Sequence, residues 1–219
     1  MSDFLDMADF TEAKTQPVLP PDNRELISFT QQEVADRGLN YGHFEVQAKA
    51  LKLNKETGPW LCGGAVRRLF DGTPGEHDWD LFFLDEKTLK AWVQKVQPEK
   101  LFETNFAISY EIPYRKERLK VQAIKFYAGS LKEAIQKFDF TCCQFGYDGE
   151  KFYTFASSLL DALRKKIVIS NITFGVVTMM HLQKYIRQGY SICAGAAADL
   201  LQRVAADPSV IRADVKYID

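Results

Sequence analysis

The stretch from Pro59 to Asp85, PWLCGGAVRRLFDGTPGEHDWDLFFLD, constrains this chain more than any other. It reads as a short strand at Trp60 to Cys62, a Gly63-Gly64 turn, a helix carrying Arg67 and Arg68, a loop rich in Gly and Pro, and a second strand from about Asp78 to Leu84. Side chains two apart on a strand share a face, so Asp78 and Asp80 point one way while Trp79, Leu81 and Phe83 point the other. Two carboxylates side by side on an apolar strand repel each other unless a cation lies between them. A magnesium ion held by one or two carboxylates plus substrate phosphates meets that need. The paired glycines have a matching use, because without a Cβ they let a phosphate approach backbone N–H groups at a helix N-terminus. A phosphate cradle beside a metal site points to nucleotide chemistry.

Gly-Gly, a helix with arginine, then Asp-x-Asp followed by apolar residues resembles the polymerase-beta-like nucleotidyltransferase superfamily. The GGAVRR form is similar to the opening of its tRNA CCA-adding and bacterial poly(A) polymerase branch. The resemblance implies an α+β fold, a nucleotidyltransferase-like mixed β-sheet flanked by helices. It also implies metal-dependent transfer of a nucleoside monophosphate from an NTP to a hydroxyl acceptor, an RNA end such as that of tRNA, a small molecule or a protein side chain. Carried over residue by residue, Gly63 and Gly64 hold the triphosphate, Asp78 and Asp80 hold Mg2+ or Mn2+, and Arg67 or Arg68 meets a phosphate or the edge of the site. Further along, Lys184, Tyr185, Arg187, Gly189 and Tyr190 match a helix that lies against the nucleotide pocket in that family. One departure is that the branch has Arg-Asp after the helix start, where this chain has Arg67-Arg68.

Composition sets the outer bounds. The chain has 219 residues, enough for one large domain with a small appendage, and 46% of them are hydrophobic, enough for a core. A formal net charge of −1 provides no overall attraction to nucleic acid, so any such contact must come from local basic clusters. The sequence has no apolar run of about 18 residues and no charged-then-apolar start, so neither a membrane span nor a signal peptide is expected. The four cysteines lack C-x-x-C spacing and read as reduced, buried thiols of a cytoplasmic protein.

In chain order, residues 1–21 read as a loose arm, residues 22–156 as the nucleotidyltransferase-like domain, and residues 157–219 as a C-terminal helical region. Asp22 is expected to cap a helix from Arg24 to Arg37 ended by Gly38, with another from His43 to Leu53. Helical period from Glu86 to Val96 places Leu89, Trp92, Val93 and Val96 on one side. Two strands are expected at Leu101 to Ile112 and Leu119 to Phe126, joined by a basic turn. Ser130 with Glu133 has capping-box spacing for a helix from Leu131 to Lys137. The run from Phe138 to Phe155 reads as a hairpin turning at Asp148-Gly149. Helices then follow at Ser157 to Lys166, Gly175 to Gln188 and Ala194 to Ala206.

A third acidic group completes the metal site in the resembled superfamily, and it comes from a later strand beside the Asp-x-Asp strand. The strand best placed for this is LKVQAIKF, which carries Gln122 at the candidate position. Glutamine offers a neutral oxygen and cannot act as a base, so Asp139 is the first alternative. Two readings therefore stay open: an active nucleotidyltransferase, or a weakened relative acting by nucleotide or macromolecule binding. His77 reads as a solvent-exposed loop residue or a phosphate contact, and the cluster from Arg115 to Lys120 as a solvated turn or a nucleic-acid path.

Overall fold

In the computed structural model, which describes residues 24–37, 41–74, 78–172 and 175–206, the central motif lies in the middle of an eight-stranded sheet. Its strands are β1 (Leu26–Thr30), β2 (Trp60–Cys62), β3 (Asp80–Phe82), β4 (Glu99–Glu103), β5 (Ala107–Tyr114), β6 (Glu117–Ile124), β7 (Phe145–Tyr147) and β8 (Lys151–Phe155). Their spatial order is β1-β8-β7-β2-β3-β6-β5-β4. Every neighbouring pair is antiparallel except β3 and β6. Parallel neighbours need a crossover. Here it consists of α4 (Glu86–Val96) followed by β4 and β5. The fold is α+β, a mixed sheet flanked by helices.

The alternation within β3 divides the core. Trp79, Leu81 and Phe83 join the larger cluster with Phe44 and Ala48 of α2 (Tyr41–Ala50), Leu69 of α3 (Gly64–Asp71) and Trp92 of α4. Phe82, with Trp60 and Cys62 across the ladder, belongs to a second cluster covered by Leu131, Ala134 and Ile135 of α5 (Leu131–Gln136). Asp80 pairs with Cys62, so its carboxylate emerges at the polar end of this second face. Beyond the sheet lie α6 (Ala156–Leu163), α7 (Gly175–Arg187), α8 (Ala194–Ala206) and a small parallel pair, β9 (Lys166–Ile167) with β10 (Ser191–Ile192).

Several elements differ from expectation. Residues 26–30 form strand β1 rather than the first turns of a helix, because Leu-Ile-Ser-Phe-Thr suits extended backbone and pairs along β8. Helix α1 (Gln31–Ala35) starts only afterwards, where Thr30 and Glu33 cap each other reciprocally. The expected strand from Leu101 to Ile112 is a hairpin of β4 and β5, turned where Thr104 Oγ1 accepts from the N–H groups of Phe106 and Ala107. Ser130 does accept from Glu133 N–H, but the Glu133 carboxylate accepts from Gly129 N–H rather than from the cap residue itself. Phe138 to Gln144 is not an arm of that hairpin: Phe140 makes an isolated antiparallel bridge to Ile169, Thr141–Cys143 forms a 3-10 turn, and pairing with β8 begins at Phe145. Strand β3 is also shorter than expected, leaving Asp78 in the loop before it. The arm at residues 1–21, the Asp22 cap, Gly38 and His77 lie outside the described residues.

Candidate functional site

The turn between β2 and α3 sets the position of everything else in the site. Gly63 has φ +81°, which disfavours any side chain, and a Cβ there would stand 2.9 Å from the Phe138 ring and 3.3 Å from Asp80 Oδ2. Its N–H donates to the Phe145 carbonyl at 2.8 Å, and its own carbonyl accepts from Val66 and Arg67 N–H at the start of α3. This close approach brings the N-terminus of α3, at Gly64, against the Asp80 carboxylate. Together they line a cavity of about 150 Å³, walled also by Arg67, Asp78, Asp139, His181 and Lys184. Phe138, Cys143, Tyr185 and Gln188 complete much of its apolar and neutral surface.

Of the residues singled out from the sequence, the pocket thus brings together Gly64, Arg67, Asp78, Asp80, Asp139, Lys184 and Tyr185. Gly63, Arg68, Arg187, Gly189 and Tyr190 do not line it. Arg68 stacks its guanidinium 5.5 Å over Trp79 instead, and Arg187 is exposed. Gln122 lies directly beside Asp80 in the parallel register of β3 and β6, where the later-strand position was expected, yet it does not line the cavity.

Charge in the pocket is unevenly compensated. Burial first, and then the neighbouring Asp78, push the Asp80 carboxyl up to about 7, against the opposing pull of Lys184 and His181. Asp78 is half exposed, and its Oδ2 accepts from Lys184 Nζ at 2.7 Å. Asp139 Oδ2 is 2.8 Å from His181 Nδ1. Burial lowers the pKa of that imidazole, but Asp139 outweighs it and holds the imidazole above its ordinary value.

Arg67 is fully buried on the pocket floor, with its guanidinium 4.8 Å from the Tyr185 ring centre and 5.0 Å from that of Tyr190. Its Nη2 donates to Gln188 Oε1 at 2.8 Å, and its Nε lies 3.3 Å from Asp71 Oδ2, whereas its Nη1 is buried without a hydrogen-bond partner. Asp71 anchors the arrangement. It accepts from Lys165 at 3.0 Å, from the Tyr190 hydroxyl and from Thr73. Burial would raise the Asp71 pKa, but Arg67, Tyr190 and Thr73 hold it below the usual carboxylate value.

The donor chemistry fits one magnesium or manganese ion held in part by substrate. Asp80 is a part-buried carboxylate short of positive charge and Asp78 lies two residues away, matching the usual one or two protein carboxylates. Among the described residues, no group of three or more His, Cys, Asp or Glu could hold a metal by itself. His181 and Gln188 are the site residues that the sequence reading missed. A signal existed for both: His181 stands three positions before Lys184 and Gln188 four after it, spacings that put them on one helical face.

The fold has solved counterparts. A CCA-adding enzyme in complex with ATP aligns with a TM-score of 0.55 at 16% identity, over 85% of this chain and 48% of that one. The Thermotoga maritima CCA-adding enzyme in complex with tRNA aligns with a TM-score of 0.54 at 15% identity, covering 82% of this chain and 46% of the other. The Bacillus stearothermophilus CCA-adding enzyme in complex with CTP gives 0.53 at 16% identity, over 77% of this chain and 44% of that enzyme. The chain therefore spans slightly less than half the length of these enzymes, and the likeness establishes a nucleotidyltransferase-like fold. No curated protein matches the sequence. A family profile described as Gad2, Gabija anti-defense 2 family protein, matches residues 26–166, well over half of the chain, which therefore belongs to the Gabija anti-defense 2 family.

Proposed function

We propose that this chain is a metal-dependent nucleotidyltransferase that moves a nucleoside monophosphate from an NTP to a hydroxyl acceptor on RNA, a small molecule or a protein. The observation that carries the reading is the convergence of the α3 N-terminus at Gly64, the under-compensated Asp80 carboxylate and the cations Arg67 and Lys184 on one cavity. Backbone N–H groups and lysine suit phosphate oxygens, and the buried Nη1 of Arg67 offers a donor to an acceptor group on the ligand. Asp78 and Asp80 are the residues that would hold Mg2+ or Mn2+. The ion would neutralise charge on the triphosphate and on the leaving pyrophosphate. Lys184, now paired with Asp78, is positioned to exchange that carboxylate for a phosphate when the metal and nucleotide enter together.

The family description adds a direction for the acceptor, since it names an action against Gabija defence. The CTP, ATP and tRNA in the solved counterparts provide the first substrates to try. The test incubates the chain with each α-labelled NTP and Mg2+ or Mn2+, with tRNA, other RNA and purified Gabija proteins as acceptors. Label on one acceptor, with pyrophosphate released in equal amount, is the expected result. No transfer to any acceptor, with no nucleotide bound, would refute it.

A second reading has its own support: neutral Gln122 occupies the strand position beside Asp80, and Lys184 already pairs with Asp78. In that case the chain binds a nucleotide or a macromolecule without turnover. Metal-dependent NTP binding in the absence of transfer would favour it.

A further inference from the structure

Nucleotidyl transfer requires a group to take the proton of the attacking hydroxyl, and the strand beside Asp80 presents neutral Gln122. The other pocket carboxylates are already engaged. Asp78 accepts from Lys184, and Asp80, the proposed metal ligand, is enclosed beside Gly63 and Cys62. The Asp139 carboxylate faces an imidazole rather than another carboxylate, with Oδ2 2.8 Å from His181 Nδ1.

The chain fixes this pair from both sides. The Asp139 carbonyl accepts from Ser170 N–H at 2.7 Å and Asn171 N–H at 3.1 Å, and Thr141 N–H donates to the Val168 carbonyl at 3.0 Å, so the Asp139 segment is pinned to the strand-like stretch after β9. His181 is carried by α7, one turn before Lys184, and Lys184 also lines the cavity. The Asp139 side chain is only 14% exposed, whereas that of His181 is 48% exposed. The carboxylate is thus sheltered, and the imidazole is open to an incoming acceptor. With Nδ1 engaged, the remaining ring nitrogen, Nε2, has no hydrogen-bond partner among the described residues.

We infer that His181, oriented by Asp139, is the general base of this pocket, accepting the acceptor's hydroxyl proton on Nε2; this rests on the nucleotidyl-transfer reading above. Asp139 is accordingly a positioning residue. It fixes the Nδ1–H tautomer and stabilises the imidazolium that forms, as a carboxylate does behind any catalytic imidazole. The step balances. The acceptor O–H bond breaks with its proton going to Nε2, and a new O–P bond forms at the α-phosphorus. The α–β phosphoanhydride bond breaks, and pyrophosphate leaves with the electron pair.

The test combines spectroscopy with turnover. In 15N-labelled wild-type chain at pH 8, two-bond 15N–1H correlations should show His181 protonated on Nδ1 and bare on Nε2, and Asp139→Asn should weaken that preference. Transfer from labelled NTP under single-turnover conditions should fall about 100-fold or more in His181→Gln, with NTP affinity within about threefold of wild type. Asp139→Asn should lose about tenfold or more, and its pH–rate profile should move to lower pH. An Nε2–H tautomer in the wild-type chain, or transfer by His181→Gln within about threefold of wild type, would overturn the base role alone. Absence of transfer by the wild-type chain with every acceptor would overturn the nucleotidyl-transfer reading and the base role with it.

Discussion

Replacing Asp80 with asparagine tests the electrostatic core of the site, because it removes a charge that the folded chain holds at a cost. The Asp80 carboxyl is raised from 3.8 to about 7, by burial first and Asp78 second. A raised carboxylate pKa means that the folded state favours the neutral acid. The associated stability is fully present below about pH 4 and is lost as the pH climbs towards 7. At about 1.36 kcal/mol per pKa unit, the complete shift corresponds to roughly 4 kcal/mol at pH 8. Asp80 is only part-buried, and solvent screening reduces the expected gain to about 2 kcal/mol. Asparagine keeps the shape and cannot ionise, so Asp80→Asn should be more stable than wild type by about that amount at pH 8 and nearly equal to it at pH 4. Urea denaturation at the two pH values reads the difference. Millimolar Mg2+ with NTP should raise the wild-type midpoint at pH 8 and leave the variant unmoved, following mass-action linkage. A variant less stable than wild type at pH 8, or one that gains equally from Mg2+ and NTP, would refute the reasoning.

Gly63→Ala combines a positive φ with a Cβ 2.9 Å from the Phe138 ring, so a loss of about 1–3 kcal/mol is expected from urea titration, and nucleotide affinity should fall with it. Asp71→Asn leaves buried Arg67 under-compensated and should cost roughly 3–5 kcal/mol by the same measurement; a change below about 1 kcal/mol would show that the Asp71 network carries little of the fold. Lys184→Met removes a pair whose side chains are 44% and 52% exposed, so the thermal midpoint should barely move. NTP affinity by calorimetry should nevertheless drop about tenfold, and unchanged affinity would remove Lys184 from the phosphate site.

The residues of PWLCGGAVRRLFDGTPGEHDWDLFFLD carried most of what the sequence could determine, because strand alternation, glycine turn chemistry and helix capping act over a few neighbours. They placed β2, α3 and β3 in order, and helical period alone gave α4 its bounds at Glu86 and Val96. Period also located α8, whereas the Leu26–Thr30 strand escaped notice because its extended form depends on pairing with β8, over 120 residues away. Tertiary structure decided the rest. No local signal sets Gln122 beside Asp80, since that neighbour comes from a parallel pairing across a crossover. Nor could sequence separate Arg67 from Arg68, adjacent and chemically alike. The turn of α3 sends Arg67 to the pocket floor, between Tyr185 and Tyr190, and lays Arg68 over Trp79. The partnership of Asp139 with His181 spans 42 positions and exists only because α7 packs across the segment after α5. Local sequence therefore named the Gly63-Gly64 turn and the acidic pair, while long-range packing chose which cations and which imidazole face the pocket.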